Sequence, residues 1–286
     1  MSGIRERYVD VITILGRNKR FVGGFMLLFA IILLGLIPSI FSIPYPLFGN
    51  VPIFRRPSIQ YPLGTDGLGR DLLVVLLYSI RTSLYIGFLA GSIGTAIGIF
   101  IGLLGGYKGG FVDDILRNLT DVFLVIPPWP ILILISAAVR GISIPMMAGL
   151  LAAFSWQGSA RTIRAQAMSL KEREFVNIAW LTGSGTFEIL FAEILPNMIP
   201  FVAAGFVLSV TGAILAEVSL EVIGLGPTKA TSIGLMLYWA QQYSATVKGW
   251  WWWAIPPITV LVLIFVSLFL MASGLDEISN PRVRKI

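Results

Sequence analysis

The sequence contains neither cysteine nor histidine. The first absence removes disulfides and thiol nucleophiles, the second removes imidazole acid–base chemistry, and together they exclude nearly all zinc sites. Charge is also scarce: 13% of the 286 residues are Asp, Glu, Lys or Arg, against about 25% in a soluble domain. There is no Gly/Ser-rich linker, and no internal repeat of roughly 20–50 residues. What the chain has in excess is apolar surface, with 56% hydrophobic residues and a mean hydropathy of +0.84. Too little polar area is left to coat a water-soluble globule. Lipid must be part of the solvent, and the fold class expected is an all-α membrane protein. The net charge of +6 is scattered over short loops, so it implies no nucleic acid.

Apolar runs near the ~20 residues needed to span a bilayer predict six transmembrane helices, over 21–41, 82–104, 115–139, 143–156, 194–224 and 254–274. The fourth is short. The fifth is long and carries Pro196 and Pro200 near its start, which predicts a kink. Residues 1–20 read as an amphipathic helix on the membrane surface, with Tyr8, Ile12 and Leu15 opposite Arg5, Arg7, Arg17, Lys19 and Arg20. Residues 21–286 then form a single transmembrane domain with an external loop over 42–81. Both termini fall inside, an orientation that places 14 of the 21 Lys and Arg residues on the inner side. The Trp250–Trp253 run suits the outer headgroup level. Gly94, Gly98, Gly102 and Gly106 share one helix face, which lets another helix approach closely. Packing within the bundle is favoured over a subunit interface.

The informative stretch is the loop over 161–192, far longer than a simple bundle needs. Leu170 to Leu181 has the pattern of a short amphipathic helix, with Ser169 as its cap and Glu172 close behind. Thr182-Gly183-Ser184-Gly185 ends it, with Gly183 suited to a left-handed closing position. A second helical stretch, 186–193, leads to Leu195-Pro196. The amphipathic helix could pack on the inner ends of the spans or dock a cytoplasmic protein, and the residues alone leave both open.

This stretch resembles the EAA loop by which permeases of ATP-binding-cassette importers engage their ATPases. Asn177-Ile178-Ala179 stands in the place of Glu-Ala-Ala, Gly183 in that of the motif glycine, and Leu195-Pro196 at its end. The first two triplet positions depart from the pattern, and Asn177 is uncharged. Lys171 to Val176 matches the run found upstream in the peptide-type branch. Tyr61 to Asp71, Arg81 to Leu84, Gly105-Gly106-Tyr107 with Asp113, Thr120 to Phe123, Val222 to Gly226, Trp251 to Trp253 and Gly274 to Arg282 resemble that branch in order along the chain. They match the second, shorter permease of the oligopeptide/dipeptide class.

The resemblance implies the type I importer permease architecture: six spans with a cytoplasmic coupling helix, in a prokaryotic plasma membrane. It also implies a homologous second permease, two cytoplasmic ATPase subunits and an extracellular substrate-binding protein. Glu174, Phe175, Asn177, Ile178, Ala179, Gly183, Leu195 and Pro196 become the ATPase-coupling candidates. ATP and magnesium would sit on the partner ATPases, with no cofactor, metal or catalytic group in this chain. Related systems carry oligosaccharides, nickel or other solutes, so peptide is the first expectation and oligosaccharide the second. Acidic residues near the membrane are functional suspects. Asp121, Glu217 and Glu221 could line a path or gate, or could be structural. An ion-coupled secondary transporter using those carboxylates is the main rival, and a membrane enzyme the third reading.

Overall fold

In the computed structural model the described residues are 15–139, 141–227 and 230–279. Most of the surface helix expected over 1–20 lies outside them, as do Arg140, Lys229 and the tail from 280. The described residues form helices α1 (Lys19–Ile40), α2 (Leu72–Lys108), α3 (Gly110–Val125), α4 (Pro128–Ala138), α5 (Ile144–Ala152), α6 (Trp156–Leu170), α7 (Glu174–Leu181), α8 (Ile199–Val222), α9 (Ile233–Gln242) and α10 (Trp251–Ser279). Four of these, α1, α2, α8 and α10, are long and apolar enough to cross a membrane, and α3 with α4 makes a fifth if the bent pair is one span.

The centre of the bundle is α2. At 37 residues it is about 55 Å long, well beyond a ~30 Å hydrocarbon layer. It packs on α6, α8, α1 and α5, while α10 closes the bundle against α1 and α8. The reason it can touch so many neighbours is its glycines. A Cβ on Gly98 would lie 2.7 Å from Ser159 Cβ, and one on Gly102 or Gly106 would lie 2.6 Å from the carbonyl oxygen of Ala160 or Arg164. The glycine face therefore seats α6 backbone to backbone, inside the bundle.

Several boundaries differ from the sequence expectation. α2 begins at Leu72, ten residues before the expected start, because Asp71 caps it: its Oδ1 accepts the Leu73 N–H at 2.9 Å. The loop expected over 42–81 is correspondingly shorter. It is braced by a buried Asp66–Arg70 pair at 2.7 Å and by Phe54 stacked on Trp250 at 4.4 Å. The third span is broken, with α3 and α4 meeting at 75°. Pro127 and Pro128 offer no N–H to a helix and force Ile126 into an extended conformation.

The largest correction concerns residues 161–170. Expected in the loop 161–192, they continue helix α6 to Leu170. Arg161, Arg164 and Gln166 break the hydropathy there, but Ala160, Ile163 and Ala167 are buried and keep the helix docked on α2. Ser169 therefore lies inside α6 and caps nothing; the residue before α7 is Arg173, which makes no side-chain cap bond. Helix α9 is a further element that the span pattern did not separate from its surroundings. Ser232 caps it, with Oγ accepting the Leu235 N–H at 3.3 Å.

Candidate functional site

Three of the eight coupling candidates, Phe175, Ala179 and Leu195, meet at the end of the bundle where α2 finishes, while Glu174, Asn177, Ile178 and Gly183 are exposed on α7 and its closing turn. Leu103 of α2, Ile163 and Ala167 of α6, Val176 of α7, and Ile189, Leu190, Ile194 and Met198 form one buried cluster. Phe175, Ala179 and Leu195 pack on its edge. Helix periodicity puts Val176 and Ala179 on one face of α7 and Glu174, Asn177, Ile178 and Leu181 on the other. The second face is open: Ile178 is 61% exposed, Leu181 75%, and Trp180 at its margin 66%. A helix anchored on one side thus presents an apolar ridge on the other.

Its C-terminus is firmly closed. The Ser184 N–H donates to Ala179 O and the Gly183 N–H to Trp180 O, each at 3.0 Å. Gly183 sits at φ +88° with open space around it. This is the closing motif that needs a left-handed residue, and glycine adopts that conformation without strain. Thr186–Glu188 and a π-helical turn over Ile189–Ile194 lead to Leu195–Asn197, with Pro196 in the first turn where its missing N–H costs nothing.

The three suspect carboxylates are not one site. Asp121 is exposed on α3, beside a crevice of about 90 Å³ lined also by Arg117, Arg161 and Arg164. Glu217 and Glu221 are fully buried in α8. None of the three lines the cavity formed beside α4 and α8.

That cavity, about 520 Å³, lies between α4, the α5–α6 junction and α8. Trp129, Phe154, Phe201 and Leu208 supply apolar walls, and Ser155, Ser159, Thr162, Gln166 and Ser209 supply neutral hydrogen-bonding groups. Asp276 is the one charged residue on its lining. The polar positions 155, 159, 162 and 166 recur at helical spacing, a signal in the sequence that a loop over 161–192 leaves without a role.

Sequence reasoning also missed the pairing of Asp113 with Arg164. Arg164 donates from Nε and Nη2 to both carboxylate oxygens, tying α3 to α6. Bidentate geometry makes such pairs strong, and the side chains are only 12% and 23% exposed. Arg164→Ala should cost about 2 kcal/mol, since it leaves a mostly buried carboxylate unpaired. Asp113→Leu/Arg164→Met should recover part of that loss. Thermal unfolding of the purified protein checks both, and an unchanged midpoint in Arg164→Ala would refute the role.

The chain has relatives among known transport proteins. Residues 94–285 match the family model described as "Binding-protein-dependent transport system inner membrane component". The chain is 29% identical over 236 residues to the oligopeptide transport system permease protein OppC of Mycobacterium bovis, covering 82% of this chain and 80% of that one. It is 31% identical over 222 residues to the OppC of Lactococcus lactis subsp. lactis, covering 77% and 75%. With a matched region that takes in the glycine ladder, α7 and the helices around the cavity, the chain belongs to the family of inner-membrane components of binding-protein-dependent transport systems, the permease subunits of ATP-binding-cassette importers.

Proposed function

We propose that this permease forms half of a translocation path for oligopeptides or dipeptides, driven through α7 by ATP hydrolysis on partner subunits. The observation that carries the reading is the exposed apolar ridge of α7 on a helix fixed to the α2–α6 core. A short helix gains nothing by holding Ile178 and Leu181 in water, and a groove on a cytoplasmic ATPase gives them a partner. The orientation that follows puts α7 and both termini in the cytoplasm and the 42–71 loop outside, facing an extracellular binding protein.

The names of the relatives support peptide as the solute, and the cavity suits it. Neutral hydroxyl and amide groups can bond a peptide main chain, and apolar walls tolerate varied side chains. Opening and closing would be rigid-body motion, with ATP and solute favouring different states of the same element.

The test is purification with companions, followed by reconstitution. Recovery of a second permease and two ATPases, with ATP-dependent peptide uptake that oligosaccharides do not compete with, is the expected result. A lone chain that moves solute down an ion gradient would overturn it.

Gly183 gives a narrower test. Gly183→Val places a β-branched residue at φ +88°, a strain of about 1–3 kcal/mol confined to the end of α7. The bundle should assemble with its parent thermal midpoint, while solute moved per ATP falls severalfold. Unchanged uptake per ATP would sink the lever model.

A further inference from the structure

The transport reading leaves two buried acids unused. Glu217 and Glu221 lie one turn apart on α8, each with no exposed surface. Ser83 Oγ donates to Glu217 Oε1 at 2.8 Å, and Ser232 Oγ to Glu221 Oε2 at 2.6 Å. Ser83 Oγ also accepts the Ile233 N–H at 3.1 Å, so the start of α9 is held by α2 and α8 together. The remaining oxygens, Glu217 Oε2 and Glu221 Oε1, are buried with no donor. Side chains four residues apart on a helix are neighbours, so the two carboxyl groups sit side by side on one face of α8.

Register adds a third atom. On the antiparallel pair α2–α8, Gly87 faces Ile214 and Gly91 faces Val210. The same spacing sets Ser83 at Glu217 and puts Ser79 one turn further along α2, on the side of Glu221 but without a bond to it. Ser79 Oγ is likewise buried without a partner. Among the described residues no cation answers the acids. Arg81 of α2 donates to Ser39 Oγ, Arg70 is taken by Asp66, α8 and α9 carry no basic residue, and Tyr238 of α9 lies against Gly224.

Two carboxylate charges side by side in such a site are untenable, and a hydrogen bond between carboxyl groups requires a proton. Magnesium and calcium need shells of about six or more oxygens. Here two carboxylates and the two serine hydroxyls that reach them fall short of that shell.

We propose that Glu217 and Glu221 form a proton-binding site in which one proton, shared by their facing oxygens, fastens α9 to α8 and α2. The sign follows from the charge. With the proton in place, the Ser83 and Ser232 bonds close the junction on both sides. As pH rises and the proton leaves, the two like charges repel in a buried site and the hold on α9 weakens, although Ser83 and Ser232 still donate to the acids. The site is independent of which solute is carried.

The test is infrared spectroscopy of the assembled transporter in lipid nanodiscs. At neutral pH the parent should show a protonated-carboxyl C=O band that shifts in D2O, disappears in E217Q/E221Q and bleaches on alkalinisation. No variant-sensitive band at neutral pH overturns the proposal. Thermal unfolding covers the case in which the double variant fails to assemble. The parent midpoint should fall on alkalinisation, and E217Q, whose amide can donate to Glu221 without a shared proton, should lose most of that fall. A parent with no alkaline fall, or an E217Q variant with the same fall, counts equally against it.

Discussion

Gly102→Val in α2 is expected to eliminate nearly all folded protein from the membrane. A Cβ there would lie 2.6 Å from Ala160 O, 2.9 Å from Ile163 Cβ and 3.0 Å from Arg164 N. Two of these atoms are α6 backbone, so no side chain can swing aside and the helices themselves must separate. Overpacking of this kind costs about 1–3 kcal/mol per site even in cores that can relax. A β-branched side chain adds two methyl groups to the first clash. In lipid the loss is not offset, because helix association rests on close packing rather than on expulsion of water. The damage also spreads: with α6 displaced, Arg164 loses its register with Asp113, and the cluster beneath α7 loses Ile163 and Ala167. Gly205→Ala on α8 is the control, since nothing lies within 4 Å of a Cβ there. That change should be neutral or slightly stabilising, as alanine favours helix over glycine by roughly 0.5–1 kcal/mol. Yield and thermal midpoint after mild solubilisation decide the matter. A Gly102→Val protein with the parent's values would show that the ladder does not set the α2–α6 distance.

The same ladder shows how far the sequence could be read. Four glycines at four-residue spacing announce a close approach, and the approach is there. Their partner was hidden, because polar residues run through α6: Arg161 and Thr162 are exposed, Arg164 and Gln166 half-buried, and Gln157 buried. Hydropathy averages over all faces of a helix, so a helix that is apolar on one stripe and polar elsewhere reads as loop. The long apolar helices α1, α8 and α10 were legible for the opposite reason, being apolar all round. Gly183 was legible because its conformation is a local demand that Thr-Gly-Ser-Gly satisfies. The start of α7 was not, since Ser169, a residue type that favours caps, lies inside α6. The pairing of Glu217 and Glu221 could be seen from their spacing. Their seal could not, because Ser83 stands 134 residues from Glu217 and only the folded register of α2 on α8 brings it there.

On the coupling reading proposed above, the part of the chain that moves rests on a packed cluster. The cluster beneath α7 joins α2, α6 and the π-helical turn before α8. A displacement of α7 therefore cannot be absorbed at its base. It passes to α6 and α8, two of the walls of the 520 Å³ cavity. The breaks between helices lie elsewhere: at Ile126–Pro127 between α3 and α4, and at the three-residue turn between α5 and α6. Coupling by a lever needs this division, because interfaces that are packed respond by switching between arrangements rather than by bending.

Leu181→Asp in α7 is the second change expected to have a large effect, and it separates docking from folding. Leu181 is 75% exposed and belongs to none of the buried clusters, so an aspartate there meets water and leaves the isolated permease intact. In the assembled transporter the same position would bring an unpaired charge into an apolar groove. A buried leucine side chain contributes about 1.5–3 kcal/mol, and burying an unpaired carboxylate adds several more. The expected loss in affinity for the ATPase subunits is at least about 100-fold, which 2.8 kcal/mol produces at 1.4 kcal/mol per decade. Trp180→Ala should fall between this variant and the parent, near 2 kcal/mol or roughly 30-fold, as a large aromatic at the edge of a contact. Co-purification with the ATPases and solute-stimulated ATP turnover are the readouts, with the thermal midpoint of the permease as the folding control. Full retention of the ATPases by Leu181→Asp would place the docking surface elsewhere and leave the ridge of α7 without a function. Loss of the ATPases with an unshifted midpoint would tie the exposed face of one eight-residue helix to the energy supply of the transporter.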